Sequence, residues 1–95
     1  MEIGQIVFSK SGRDKGKVFI IMAVEGEYAF LTDGKLRPLN KLKKKKAKHI
    51  QPTNIIVDIF DKTVSGGMAL EDADIRKWLK AFMNKEEVSI CQRTM

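Results

Sequence analysis

The sequence predicts a small, mainly β domain followed by short C-terminal helices, and three observations carry that expectation. Ile6 and Phe8 alternate with Gln5, Val7 and Ser9; Val18 to Val24 is an unbroken apolar run rich in β-branched residues; and helical periodicity replaces alternation only in the second half. A chain of 95 residues has room for one modest core and a short appendage. A hydrophobic fraction of 43% supplies the apolar material for that core.

Residues 4–10 form the first expected strand, and Ser11-Gly12-Arg13-Asp14 supplies turn chemistry after it. The run Val18 to Val24 lies between Gly16-Lys17 and Glu25-Gly26 and suits a central strand buried on both faces. Glu25-Gly26-Glu27 connects it to Tyr28-Ala29-Phe30-Leu31-Thr32, a third strand. Asp33-Gly34 is a hairpin signal leading into Lys35-Leu36-Arg37, and Pro38 ends that edge. A lysine-dense stretch, Lys41 to Lys48, precedes His49-Ile50-Gln51 and a stop at Pro52. Four or five short strands in about 50 residues describe a small barrel or a half-open sheet.

Beyond Pro52 the period changes. Ile56, Ile59, Phe60 and Val64 share a helical face, which predicts a helix ending at Ser65-Gly66-Gly67, while the alternation of Ile55, Val57 and Ile59 keeps a strand open as the alternative. Ile75, Trp78, Leu79, Phe82 and Met83 then form a clear amphipathic stripe. Glu71, Asp72 and Asp74 at its start and Lys85 at its end have the polarity that a helix dipole favours. The expected organisation is a basic β unit over residues 1–54, a helical appendage over 55–85, and a tail over 86–95 whose lack of periodicity allows disorder.

Charge is distributed unevenly. Residues 1–54 hold 12 Lys/Arg against 5 Asp/Glu and residues 55–95 hold 6 against 7, so the whole excess of +6 sits on the β half. That is the distribution of a polyanion-binding unit with a neutral appendage. No signal-like or membrane-spanning apolar stretch is present, and the lone Cys91 offers neither an internal disulfide nor a second thiol for a metal site. A cytoplasmic protein without cofactor or metal is expected. Catalysis is not: the one histidine, His49, lies within the lysine run, and Glu71, Asp72 and Asp74 suit a helix first turn.

The segment Gly12-Arg13-Asp14-Lys15-Gly16-Lys17 mixes two glycines with three cations between the first two strands. Such a loop can lay backbone N–H groups and cationic tips along a sugar-phosphate chain. Taken with Gly4 to Ser9 before it and with Val18 to Val24 and Tyr28 to Gly34 after it, the segment resembles the KOW motif: an alternating strand, a Gly-x-x-x-Gly-Lys loop, then two hydrophobic strands. The resemblance spans about residues 3–54, with the motif's most characteristic glycine at Gly16, and extends to KOW-containing large-subunit ribosomal proteins and short bacterial KOW-domain proteins. Phe19 stands where many KOW motifs carry a further glycine.

The resemblance implies an SH3-like β-barrel that binds RNA, ribosomal RNA included, in translation. Lys10, Arg13, Lys15, Gly16 and Lys17 would then form the first-loop contacts, with Lys35 and Arg37 beside the second hairpin. Lys41, Lys43, Lys44, Lys45, Lys46 and Lys48 lie outside the motif and rest on charge alone, as a flexible second anchor for phosphates. The competing expectation is a protein-interaction adaptor of the transcription or translation machinery that docks a partner through the Trp78 helix.

Overall fold

The computed structural model describes residues 1–59, 70–84 and 90–92, the last three as backbone. Among the described residues the strands are β1 (Gln5–Ser9), β2 (Val18–Glu25), β3 (Tyr28–Thr32), β4 (Lys43–Lys46), β5 (Ile50–Val57) and β6 (Ile90–Gln92); Ile59 is helical, and the helix α1 spans Asp72–Met83. They form a single antiparallel sheet in the order β4-β3-β2-β1-β5-β6. Short 3-10 turns, Gly12–Asp14 and Ala47–His49, join β1 to β2 and β4 to β5. The hydrogen-bonded ladder of the described residues is open, with β4 and β6 at its edges.

Each face of the sheet carries its own core. On the concave face, Val7, Phe19, Ile21, Ala29, Leu31 and Ile50 pack together. On the opposite face, Ile6, Ile20 and Val57 meet Ile59 and the α1 residues Ile75, Trp78 and Leu79, with Val18, Met22 and Phe82 packed against them. This explains the unbroken apolar run in β2. From Val18 to Met22 alternate residues supply one core each, so neither face is solvated there; beyond the register shift at Ile21/Ala23 the run leaves both cores, and Val24 is exposed. Phe19 is a fully buried member of the concave core.

The α1 stripe is buried as its spacing predicts, with one exception. Trp78 is only 8% exposed and Phe82 stacks obliquely on Phe8 of β1 at 5.9 Å between centroids, whereas Met83 is 58% exposed. The acidic residues at the start of α1 are structural. Asp72 Oδ1 accepts the Leu39 N–H at 2.7 Å, and Asp74 Oδ2 accepts that of Glu71 at 2.9 Å.

Three sequence expectations require correction. Pro52 does not stop its strand: β5 continues to Val57, and the boundary expected at residue 54 falls inside it. Pro52 stands opposite Val7 next to a register shift of the β1–β5 pair between Gln5 and Val7, and β6 pairs with β5 only at residues 55–57, so among the described residues Pro52 has a paired strand on one side only. The irregularity is pinned by the Gln5 side-chain amide donating to the Thr53 carbonyl and the Thr53 hydroxyl donating to the Ile6 carbonyl, both at 2.7 Å.

Secondly, the expected helix does not begin as early as Ile56: Ile56 and Val57 belong to β5 and pair with Cys91 and Ile90 of β6, and helical backbone is reached only at Ile59. The rest of that expected helix, residues 60–65, lies outside the described residues, as do 85–89 and 93–95 of the helix end and tail and the side chain of Cys91.

Thirdly, Asp33-Gly34 does not make a two-residue hairpin. The Asp33 carboxylate accepts the N–H groups of Lys35 and Arg37, each at 2.9 Å, and the Thr32 hydroxyl donates to the Arg37 carbonyl at 2.7 Å. These bonds fold residues 33–37 into a closed loop, so β3 pairs instead with Lys43–Lys46 further along the chain.

Candidate nucleic-acid interface

The β1–β2 turn is held by its backbone. Lys15 N–H donates to Gly12 O at 3.2 Å, Lys17 N–H to Asp14 O at 2.8 Å, and Gly16 N–H to Ser9 O at 2.9 Å. Gly16 sits at φ +86°, a conformation that L side chains rarely adopt, with open space where a Cβ would stand. Arg13, Lys15 and Lys17 project from this frame as exposed side chains, and Lys10 at its base is exposed as well.

The turn's one anion is drawn inward. Asp14 is paired with Lys43 of β4, and Lys17 Nζ approaches its other oxygen at 3.9 Å. The Lys43 hydrogen bond holds the Asp14 carboxyl below the usual aspartate range against the opposing effect of desolvation, and the positive charges of Lys43, Lys17 and Lys45 add to the lowering. The outward potential of the loop is therefore set by its cations.

The lysine run is an ordered edge strand and a turn, which corrects the expectation of a flexible anchor. Its members divide by pleat. Lys43 and Lys45 pair with Leu31 and Ala29 and share their concave face. Lys43 reaches Asp14, and Lys45 Nζ donates to Ser9 Oγ at 2.7 Å and to the Ser11 carbonyl at 2.9 Å. Both ammonium groups thus tie β4 to the end of β1 and its turn, across the side of the sheet that the strand ladder leaves open. Lys44 and Lys46 face outward, over the rings of Tyr28 and Phe30. Lys41 and Lys48 are exposed at the two ends of the run.

Lys35 lines one cleft with Gly16 and Lys17, on a loop that packs against α1. Gly34, at φ +73°, lies so close to the helix that an added Cβ would stand 2.6 Å from the Asp72 carbonyl oxygen. Its own carbonyl accepts a bond from the Arg76 guanidinium at 2.7 Å. The contact leaves a cleft of about 760 Å³ between the β1–β2 turn, the 33–37 loop and the outer side of α1. Lys17, Lys35, Arg76 and Lys80 supply its positive charge against the one lining carboxylate, Asp33, which is engaged by the Lys35 and Arg37 N–H groups, and Val18, Leu36, Leu79 and Met83 supply its apolar surface. Arg37 is not among its lining residues; its backbone closes the loop beneath.

Apart from Lys10, Lys41 and Lys48, which are exposed at the margins, and Arg37 beneath the 33–37 loop, the expected site residues fall into three groups. Arg13, Lys15, Gly16, Lys17 and Lys35 gather around the turn and cleft; Lys44 and Lys46 form an outer edge; Lys43 and Lys45 are held by internal partners. Arg76 and Lys80 were missed, because their places off the apolar stripe marked them only as a solvated helix face. Tyr28, beside Gly26, could be expected at a loop surface from the sequence, but Phe30 reads as core there; both are partly exposed and lie outside both core clusters.

No protein-family model and no curated protein matches the chain. Among the described residues, no group of three or more His, Cys, Asp or Glu is placed to hold a metal ion, and no helix is long and apolar enough to cross a membrane.

Proposed function

We propose that this chain is a non-enzymatic RNA-binding protein of KOW type, gripping the phosphates of structured RNA, ribosomal RNA included, with its β1–β2 turn and the adjoining basic cleft. The observation that carries this reading is the sorting of charge at the turn: Asp14 is held inward by Lys43 while Arg13, Lys15 and Lys17 are exposed. A polyanion approaching that surface meets cations on a backbone held by its own hydrogen bonds.

The fold belongs to the same proposal. Strand order β4-β3-β2-β1-β5, the curl around a concave core and the 3-10 turn between β4 and β5 support an SH3-like barrel whose last side is closed by lysine side chains. Lysine and arginine contacts of this type supply affinity and register more than base readout. A role on ribosomal RNA would place the protein in the cytoplasm. The test is titration with a structured RNA at several salt concentrations, for wild type and for Arg13, Lys15 and Lys17 replaced together by Gln.

One observation favours a second reading, an adaptor that docks a protein in the cleft: Leu36 is 74% and Met83 58% exposed there. Trp78 does not serve that reading, since its ring is buried against the sheet. An adaptor would lose its partner on Leu36→Ala or Met83→Ala and respond little to salt.

A further inference from the structure

From the outer face of β3 and β4 we infer that Tyr28, backed by Phe30, is a stacking platform for an unpaired RNA base, with Lys44 and Lys46 taking the neighbouring phosphates. The inference rests on the RNA-binding reading and adds a second mode of contact to it, one that engages bases.

Tyr28 and Phe30 are two residues apart on one strand and so project to the same face, while Ala29 and Leu31 between and beyond them enter the concave core. Neither ring belongs to a core cluster, and each is partly exposed. Two neighbouring aromatics outside both core clusters, on a strand face that the described residues leave partly exposed, need a reason, since rings of this size are ordinarily buried.

Their partners across the ladder supply one. Phe30 pairs with Lys44 and Tyr28 with Lys46, which puts two cations on the same face as the two rings. Lys44 Nζ lies 4.4 Å from the Tyr28 ring centroid and 6.0 Å from that of Phe30, and Lys46 Nζ lies 5.9 Å from Tyr28. An exposed cation–π contact is weak and easily exchanged. An incoming base can take the position over the Tyr28 ring while the displaced ammonium turns to the phosphate beside it. Aromatic faces interleaved with cations are the composition of sequence-tolerant single-strand sites. Exposed Glu25 pairs with Tyr28 from the β2 side, so the strand would run along the β4 side, away from that carboxylate.

The test compares Tyr28→Ala and Tyr28→Phe with wild type, using an oligouridylate of about 12 nucleotides, the same oligomer made abasic, and an RNA duplex of about 16 base pairs. Trp78, the sole tryptophan and buried between sheet and helix, reports by its emission that each variant is folded. Tyr28→Ala should weaken oligouridylate binding about tenfold and duplex binding by less than about twofold, with Tyr28→Phe close to wild type. The abasic oligomer should bind wild type and Tyr28→Ala equally. Equal losses on both RNAs, an unchanged oligouridylate affinity, or an abasic strand bound as tightly as the parent would overturn the platform. Duplex binding that persists in those cases leaves the phosphate-gripping reading standing, whereas failure of wild type to bind any of the three RNAs removes both.

Discussion

Lys43 on β4 and Asp14 on the β1–β2 turn form an ion pair across the open side of the sheet, where no strand ladder joins the two. Lys45, two residues on, crosses the same gap to Ser9 and Ser11. Two lysines of the run thus act as struts whose stems lie over the concave core and whose heads are held by polar partners. Their work is structural, and it is separate from that of the exposed Arg13, Lys15 and Lys17.

The Asp14 pair has a defined pH dependence. Because the native carboxyl has a lowered pKa, its contribution to stability is complete above the ordinary aspartate range and is lost as pH falls through the native value. Asp14→Asn should cost about 1 kcal/mol at neutral pH, the upper end for a pair near the surface. Urea unfolding of both proteins from pH 7 down to 2 should show this difference shrinking towards zero at the acid end. A constant difference would mean that the carboxylate charge is not what stabilises the turn.

The two glycines at the cleft should respond differently to a side chain. Gly16 has a positive φ but open surroundings, so Gly16→Ala should carry only a backbone cost of about 1 kcal/mol. Gly34 adds a collision with the backbone of α1, and Gly34→Ala should cost roughly 3 kcal/mol or more and loosen the helix. Denaturant midpoints rank the two, and the reverse order would contradict the docking of α1 on this loop.

How far the fold was legible depended on whether a segment's pattern was local. The β2 run and the α1 stripe declare themselves because hydrophobic spacing alone decides their faces. Lys43–Lys46 did not, since four identical polar residues show no alternation even though the pleat sends Lys43 and Lys45 one way and Lys44 and Lys46 the other. Residues 55–59 satisfied a period of two and a period near 3.6 together, and each holds in part: pairing with β1 and β6 makes residues 55–57 strand, while Ile59 is helical. Lys17 and Lys35 could be suspected separately, but that they line one cleft, where the loop of Gly34 packs against Asp72 and Arg76, is visible only in three dimensions.

Trp78 should be the largest single contributor from α1. Buried among Ile6, Ile20 and Val57, it covers a sheet face that would otherwise be wet, and Trp78→Ala should cost about 3–5 kcal/mol. Thermal unfolding followed by circular dichroism measures this. A loss below about 1 kcal/mol would mean that the helix is a dispensable cover.

The central claim, that the β1–β2 turn and its cleft grip RNA phosphates, is tested most directly by the salt dependence of affinity for a structured RNA. If about six phosphates are neutralised, log K should fall against log salt with a slope of roughly -4 to -5. Arg13, Lys15 and Lys17 replaced together by Gln should flatten that slope by about 2 to 3 and leave stability nearly unchanged. Lys43 and Lys45 replaced together should lower stability, and the slope of the folded fraction should hold. A triple variant that keeps the wild-type slope, or a wild type that binds no RNA at low salt, would contradict the claim.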